Sequence, residues 1–366
     1  MFSFTYNGQP ARVIFGEGTL SKLPEEVDRL GLRRALILAT PPQQKDAERL
    51  AEMLFDRSAG VFAGAVMHTP VHVTEEALAV VKELGADGLI AVGGGSTTGL
   101  AKALALRTDL PQIVAPTTYA GSEMTPILGE TKDGRKVTQS SPKILPEVVI
   151  YDVDLTMTLP VGMSGTSGMN AIAHAVEALY AKERNPVVSL MALEAIGALA
   201  KALPAIADDP ANREARANAL YGAWLCGICL GSVGMALHHK LCHTLGGTFD
   251  LPHAETHTIV LPHALAYNAP AIPDVIAKLQ DVFCHDDPSL ALYQLSGRIG
   301  AKRALSDIGM PRSGIETATD VATSDPYWNP RPLDRAALHG LISRAYAGDA
   351  PVVETISNME VWNVWR

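Results

Sequence analysis

The sequence predicts an α/β amino-terminal domain of Rossmann-like parallel-sheet type, followed by an all-α domain. Three observations carry this. Short apolar runs alternate with amphipathic stretches through the first 155 residues, and one of these runs enters a helix through three consecutive glycines. Beyond Asp154-Leu155, β-branched runs give way to Ala- and Leu-rich stretches of helical periodicity. We therefore divide the chain into residues 1–155 and 156–366, with the active site expected in the cleft between them. A length of 366 residues also exceeds what one core usually supports.

Residues 35–39 (ALILA) suit a strand buried on both faces, and the polar segment 43–55 behind it has helical spacing. Residues 60–66 predict a second strand and 74–84 (TEEALAVVKEL) a helix, with Thr74 as its N-cap. Further strands are predicted at 89–92, 112–115 and 148–151. Parallel strands need crossovers, so this alternation puts helices on both faces of one sheet. Afterwards, residues 163–181, 186–203, 211–230, 235–245 and 333–345 fit helices, punctuated by Asp208-Asp209-Pro210, Pro252, Pro262, Pro270 and Pro273. The tail carrying Trp362 and Trp365 reads as a docked terminus, with an oligomer contact as the alternative; a homodimer is the expected assembly.

Composition excludes several classes of function. The net charge of −9 offers no basic surface for nucleic acid, whose phosphates require clustered Lys and Arg. With 47% hydrophobic and 19% charged residues, and no uninterrupted apolar run of about 18 residues, no membrane span is expected. The first residues lack the pattern of a secretory signal, so a cytoplasmic location is expected. Cys226, Cys229 and Cys242 lie in apolar helical context. Cys226 and Cys229 could form a redox or zinc motif, but they have no second pair and no βαβ pattern around them, which favours core thiols.

The stretch Ala91-Val92-Gly93-Gly94-Gly95-Ser96-Thr97 leaves a buried strand and opens a helix. Glycines let backbone N–H groups approach a pyrophosphate, and a helix N-terminus supplies partial positive charge. A bare turn is the alternative. Thr117, Thr118 and Ser122 follow the next strand and should lie beside this loop at the carboxyl edge of the sheet, where open parallel sheets bind ligands. The strand ending at Ala39 is followed by Thr40 and two prolines, not by Asp or Glu. A carboxylate there would hold the ribose of NAD and repel the extra phosphate of NADP, so both NADH and NADPH are expected as cofactors.

Seven of the chain's eleven histidines lie between Asn170 and His263. Helical spacing puts Asn170, His174 and Glu177 on one stripe, and His239 and His243 on another. The Gly246-Gly247 turn is expected to bring His253 back towards them. A single histidine on an apolar face is usually a satisfied core residue; four convergent ones call for another explanation.

These features together, with Pro116-Thr117-Thr118 leading to Gly121-Ser122-Glu123, resemble the iron-containing alcohol dehydrogenase family over essentially the whole chain. The resemblance implies the two-domain architecture shared with dehydroquinate synthase. It also implies a divalent-metal site at the positions of Asn170, His174, His239 and His253, a further histidine near the nicotinamide at His243, and a cofactor lysine at Lys136. The family has Asp where this chain has Asn170. An amide is a far weaker ligand than a carboxylate and removes the charge that balances the cation, although three histidines can still hold zinc. With Asn170, the segments Pro116 to Thr125 and Leu251 to His257 resemble the branch that reduces the carbon–carbon double bond of maleylacetate to 3-oxoadipate in aromatic catabolism. That branch is regarded as metal-independent, so no metal is expected.

On that basis, the enolate formed by hydride addition is expected to be stabilised and protonated by His243 and His253, with His174 and His239 lining the pocket. The dicarboxylate substrate needs cationic or N–H partners, for which Lys240 and Arg135 are candidates. The alternatives are a metal-dependent alcohol or polyol dehydrogenase of the same family, a zinc lyase like dehydroquinate synthase, and a nucleotide-binding scaffold. The sparse Lys and Arg near the histidines argue against the lyase.

Overall fold

The computed structural model describes residues 4–6, 8, 11–132, 135–324 and 327–354, with the side chains of Arg135 and Lys136 outside the description. The α/β region runs β1 (Arg12–Gly16), α1 (Leu23–Arg29), β2 (Ala35–Leu38), α2 (Gln44–Leu54), β3 (Ser58–Phe62), α3 (Val71–Leu84), β4 (Gly88–Gly93), α4 (Gly95–Thr108), β5 (Gln112–Pro116), β6 (Ile127–Lys132), β7 (Arg135–Ser140) and β8 (Val148–Asp152). Six strands form one sheet in the order β1-β8-β5-β4-β2-β3, and every pair in it is parallel. Strands β2, β4, β5 and β8 are buried at every position. Such strands read as apolar runs because helices cover both faces: one face packs with Leu23, Val27 and Leu50, the other with Ala77, Val81, Leu100 and Leu104.

Two parts of this region depart from expectation. β1 is a half-exposed edge strand whose mixed burial hides it as an apolar run. β6 and β7 form a separate antiparallel hairpin whose polar sequence, including Glu130 and Gln139, carries little strand signal. In addition, Thr74 is not an N-cap. Helix α3 starts at Val71, after Pro70, and Thr74 is a buried residue of its first turn, with its hydroxyl 3.4 Å from Glu130 Oε1.

The helical region comprises α5 (Val161–Tyr180), α6 (Pro186–Asp208), α7 (Arg213–Ser232), α8 (Leu237–Phe249), α9 (His253–Asn268), α10 (Pro273–Phe283), α11 (Pro288–Arg298), α12 (Gly314–Ser324) and α13 (Arg335–Ala347). Its central helix is α5, buried continuously from Ser164 to Tyr180 between α6, α7 and α9. Small residues make this possible: a Cβ at Gly168 would lie 2.5 Å from Leu203, and one at Gly165 would lie 2.9 Å from Ile299. Helix α6 is long and apolar enough by composition to cross a membrane, and the bent pair α7–α8 passes the same test. Glu194 and Lys201 interrupt α6, and its face with Val188, Ile196, Leu199 and Leu203 is packed in the core. Cys226 and Cys229 are buried free thiols in that core.

Two expectations about the histidine region are corrected. Gly246 and Gly247 lie inside α8, and the chain reverses later, at Asp250, which takes the left-handed conformation with φ 52°. Pro262 does not punctuate. It sits within α9, which continues through it because tertiary burial from Thr256 to Asn268 outweighs the loss of one backbone donor. The Trp362 and Trp365 tail lies outside the described residues.

Candidate active site

The ends of β2, β4 and β5 build the first half of the site. Gly93 has φ 153°, and a Cβ there would lie 2.4 Å from Thr97 Oγ1 and 2.9 Å from Gln43 Oε1, so only glycine fits. A Cβ at Gly94 would meet Thr118 Cγ2 at 3.0 Å, whereas Gly95 faces open space. No side chain caps the N-terminus of α4, and Thr97 Oγ1 is buried without a partner. This open, uncapped first turn is a cradle that fits a phosphate group of a dinucleotide.

Thr117 N–H donates to the Gly93 carbonyl at 3.0 Å, bringing the two loops together. Thr40 joins them through Gln43, a residue sequence reasoning missed: Thr40 Oγ1 donates to Gln43 Oε1 at 2.8 Å, and Gln43 Nε2 lies 3.5 Å from Thr117 Oγ1. Thr40, Ser96, Thr117, Thr118 and Ser122 are all half-buried, as ligand-facing residues would be. Lys136 and Arg135 stand on β7, with their side chains outside the description.

Lys102 holds the second loop in place. Fully buried, its Nζ donates to the Ser122 carbonyl, to the Thr125 carbonyl at 2.8 Å and to the Ile127 carbonyl at 3.0 Å. Burial pulls its pKa down to about 7, against the opposing charge of Glu123.

The second half is a histidine cluster from three helices. Asn170, His174 and Glu177 come from α5; His238, His239 and His243 from α8; His253 and His257 from α9. Asn170 Nδ2 lies 3.4 Å from His174 Nε2, His174 Nδ1 lies 2.8 Å from His239 Nε2, and His239 Nδ1 lies 2.6 Å from Glu177 Oε2. The amide nitrogen can only donate, so His174 Nε2 accepts and His174 Nδ1 carries the hydrogen directed at His239 Nε2. His239 Nδ1–H then donates to the carboxylate. One tautomer satisfies all three contacts with neutral imidazoles.

The surroundings favour that state. Burial, then the neighbouring His239 and His238, hold His174 well below the usual histidine range. Burial and His239 likewise bring His238 to about 4. Glu177 is fully buried, and burial raises its pKa. The carboxylate is nevertheless well supplied with donors: the backbone N–H of His238 at 2.8 Å, Ala236 at 3.1 Å and His239 at 3.4 Å. It therefore caps the start of α8 while fixing His239.

His253 is half-buried and its ring lies 4.2 Å from that of His257. His243 is exposed, 6.4 Å from His239 between ring centroids. The four predicted histidines thus converge. His238, His257 and the anchoring of His239 by Glu177 were not recognised in the sequence, although His253 and His257 have the same four-residue spacing as His239 and His243.

The positions that the resemblance gives to a metal fit a divalent ion poorly: Asn170 contributes no charge, and His174 Nδ1 and His239 Nε2 are directed at each other.

The comparisons with known proteins agree with this architecture. Residues 10–153 match the iron-containing alcohol dehydrogenase family, and residues 164–346 match the C-terminal part of the Fe-containing alcohol dehydrogenase family. A maleylacetate reductase from Rhizobium sp. (strain MTP-10005) is 53% identical over 351 residues, which cover 96% of this chain and 100% of that protein. The crystal structure of a putative alcohol dehydrogenase from Ralstonia eutropha JMP134 is 55% identical with a TM-score of 0.95, covering 96% of this chain and 100% of that one. The crystal structure of the maleylacetate reductase from Agrobacterium tumefaciens is 52% identical with a TM-score of 0.93, at the same coverage. This chain belongs to the iron-containing alcohol dehydrogenase family.

Proposed function

We propose that this chain is an NAD(P)H-dependent maleylacetate reductase that reduces the carbon–carbon double bond of maleylacetate to give 3-oxoadipate, without a metal. The observation that carries the reading is the hydrogen-bonded chain that links Asn170, His174 and His239, three of the positions the resemblance gives to a metal, and ends on Glu177. Relatives about half identical over nearly the full chain, named maleylacetate reductases, support the substrate. A metal-dependent alcohol or polyol dehydrogenase would have at Asn170 only a neutral amide, a far weaker ligand than a carboxylate.

The Gly93–Gly95 loop, Ser96, Thr117, Thr118 and Ser122 are the residues that would hold the dinucleotide, with Thr40 and Gln43 beside the ribose and Lys136 as a further contact. Without an acidic residue after β2, NADH and NADPH are both accommodated. When bound, the reduced nicotinamide supplies a hydride to one alkene carbon of the enone.

The negative charge then collects on the ketone oxygen, and the other alkene carbon needs a proton. His243 and His253 meet these needs as oriented N–H donors and as the acid, each donor contributing roughly 3 kcal/mol by analogy with oxyanion holes. His174 and His239, held neutral, line the pocket and keep the imidazoles oriented through Glu177. Lys240, exposed on α8 beside these histidines with its Nζ 5.4 Å from the Tyr327 ring, is a candidate partner for a substrate carboxylate, as is Arg135. The proposed cleft lies between residues 1–155 and 156–366.

The test is substrate selectivity with purified protein. NADH oxidation with maleylacetate should exceed, by at least a hundredfold in kcat/KM, carbonyl reduction of simple aldehydes or oxidation of diols. A preference for the aldehyde or diol would overturn the reading.

A further inference from the structure

His257 presents a problem that the reduction mechanism does not use. Its side chain is 0% exposed, and both Nδ1 and Nε2 are buried without a hydrogen-bond partner. A neutral imidazole has one donor and one acceptor to satisfy, and leaving both buried and unmet is costly. Its nearest neighbours are other imidazoles: ring centroids lie 4.2 Å away at His253, 4.8 Å at His238 and 5.0 Å at His239. One ligand nitrogen from each of His238, His239 and His257 lies within 4.8 Å of the others. This set shares only His239 with the family's metal positions.

We propose that His238, His239 and His257 form an inhibitory site for a borderline-soft divalent cation such as zinc. The supporting shell is already built. A ligating imidazole usually donates its other N–H to a carboxylate or a backbone carbonyl. His239 Nδ1 lies 2.6 Å from the Glu177 carboxylate, and His238 Nε2 lies 3.1 Å from the His257 carbonyl. Of the other nitrogens, His239 Nε2 accepts from His174 Nδ1 and His238 Nδ1 lies 3.4 Å from His239 Nδ1, so an ion would replace those two contacts, while His257 has a nitrogen to give. Three imidazoles with an adjacent carboxylate match the chemistry of zinc, with water as the fourth ligand.

Inhibition follows from sharing His239. Its Nε2 lone pair accepts the hydrogen of His174 Nδ1. An ion on that nitrogen displaces His174, so the oriented chain and the cation exclude each other. Binding at this site breaks no covalent bond and is reversed by a chelator.

Cobalt(II) serves as a spectroscopic probe on the purified full-length protein. The expected result is one equivalent per chain, with visible d–d bands that disappear in His257→Gln and persist in His253→Gln. Zinc should inhibit wild-type turnover reversibly, and His257→Gln should need at least tenfold more zinc for the same fractional inhibition, measured against its own zinc-free rate. Because His257 is buried, a zinc-soaked wild-type crystal provides a second measurement: the anomalous peak should lie against His238, His239 and His257. A peak against His174 and His253, bands lost in His253→Gln but kept in His257→Gln, or no cobalt binding would overturn the proposal.

Discussion

His174 Nδ1 and His239 Nε2 lie 2.8 Å apart, a hydrogen bond that ties α5 to α8 across two positions that the family resemblance gives to metal ligands. Its direction is set from outside the pair. Asn170 lies against His174 Nε2, and Glu177 accepts from His239 Nδ1. An Asp at position 170 would bring a lone pair towards His174 Nε2 instead of a hydrogen. Only a proton or a cation between them would relieve that contact. We expect Asn170→Asp to bind zinc or iron at the family positions at least tenfold more tightly than wild type, and to lose turnover on maleylacetate. Metal content after equilibrium dialysis checks this, and unchanged affinity would show that the amide is not what disfavours the ion.

Catalysis by imidazole donors predicts a large and selective effect at His243. This residue is exposed at the mouth of the cluster, so its removal should not disturb the core. His243→Ala should lower kcat at least a hundredfold, about 3 kcal/mol or more of transition-state stabilisation. Cofactor affinity, measured by NADH fluorescence, should change by less than a few-fold. Near-normal turnover would remove His243 from the mechanism.

Much of this site was legible because each half carries a strong local signal. The buried run of β4 leads directly into three glycines, and His174, His239 and Asn170 lie at helical spacings on helices that the Ala- and Leu-rich pattern predicts. What stayed hidden was masked by competing signals. Pro262 disguised α9, and with it the four-residue spacing that places His257 one turn after His253. Gly246 and Gly247 imitated a turn inside α8, although the reversal is at Asp250. Glu177 and Gln43 act through partners 62 and 74 residues away in sequence, and no local pattern announces such contacts. The edge strand β1 and the polar hairpin β6–β7 lack the apolar run that marks the central strands.

Buried neutral histidines make stability depend on pH in a defined direction. His238 and His263 both have pKa values of about 4, lowered mainly by burial, against an ordinary value near 6.5 when the chain unfolds. A group whose folded pKa is depressed contributes stability above the unfolded pKa and loses it as pH falls through the folded one. Each therefore contributes up to about 3 kcal/mol at neutral pH, lost between about pH 6.5 and 4. His174 and His257 add in the same direction. Glu177 and Glu123, raised by burial, take up protons in the folded state as pH falls towards their ordinary value of 4.5, and so oppose part of the loss. Urea midpoints should fall steadily from pH 7 to 5, and a flat profile would contradict the neutral assignments.

Cofactor choice turns on the position after β2. Thr40 hydrogen-bonds Gln43 and offers no charge to either ribose. Wild type should use NADH and NADPH with kcat/KM values within about tenfold of each other. Thr40→Asp should reduce NADPH efficiency at least tenfold while NADH is largely retained, because the carboxylate repels the 2′-phosphate. Initial rates with both cofactors at saturating maleylacetate check this. Discrimination of more than a hundredfold in wild type would sink the dual-cofactor assignment.

On the proposed reading, histidines held by Asn170 and Glu177 take the place of a metal. The most direct measurement is NADH oxidation with maleylacetate before and after exhaustive dialysis against a strong chelator, with residual metal quantified in the same samples. Undiminished turnover is expected at well below one metal per ten chains. Loss of activity in step with metal, restored by adding zinc or iron, would contradict it.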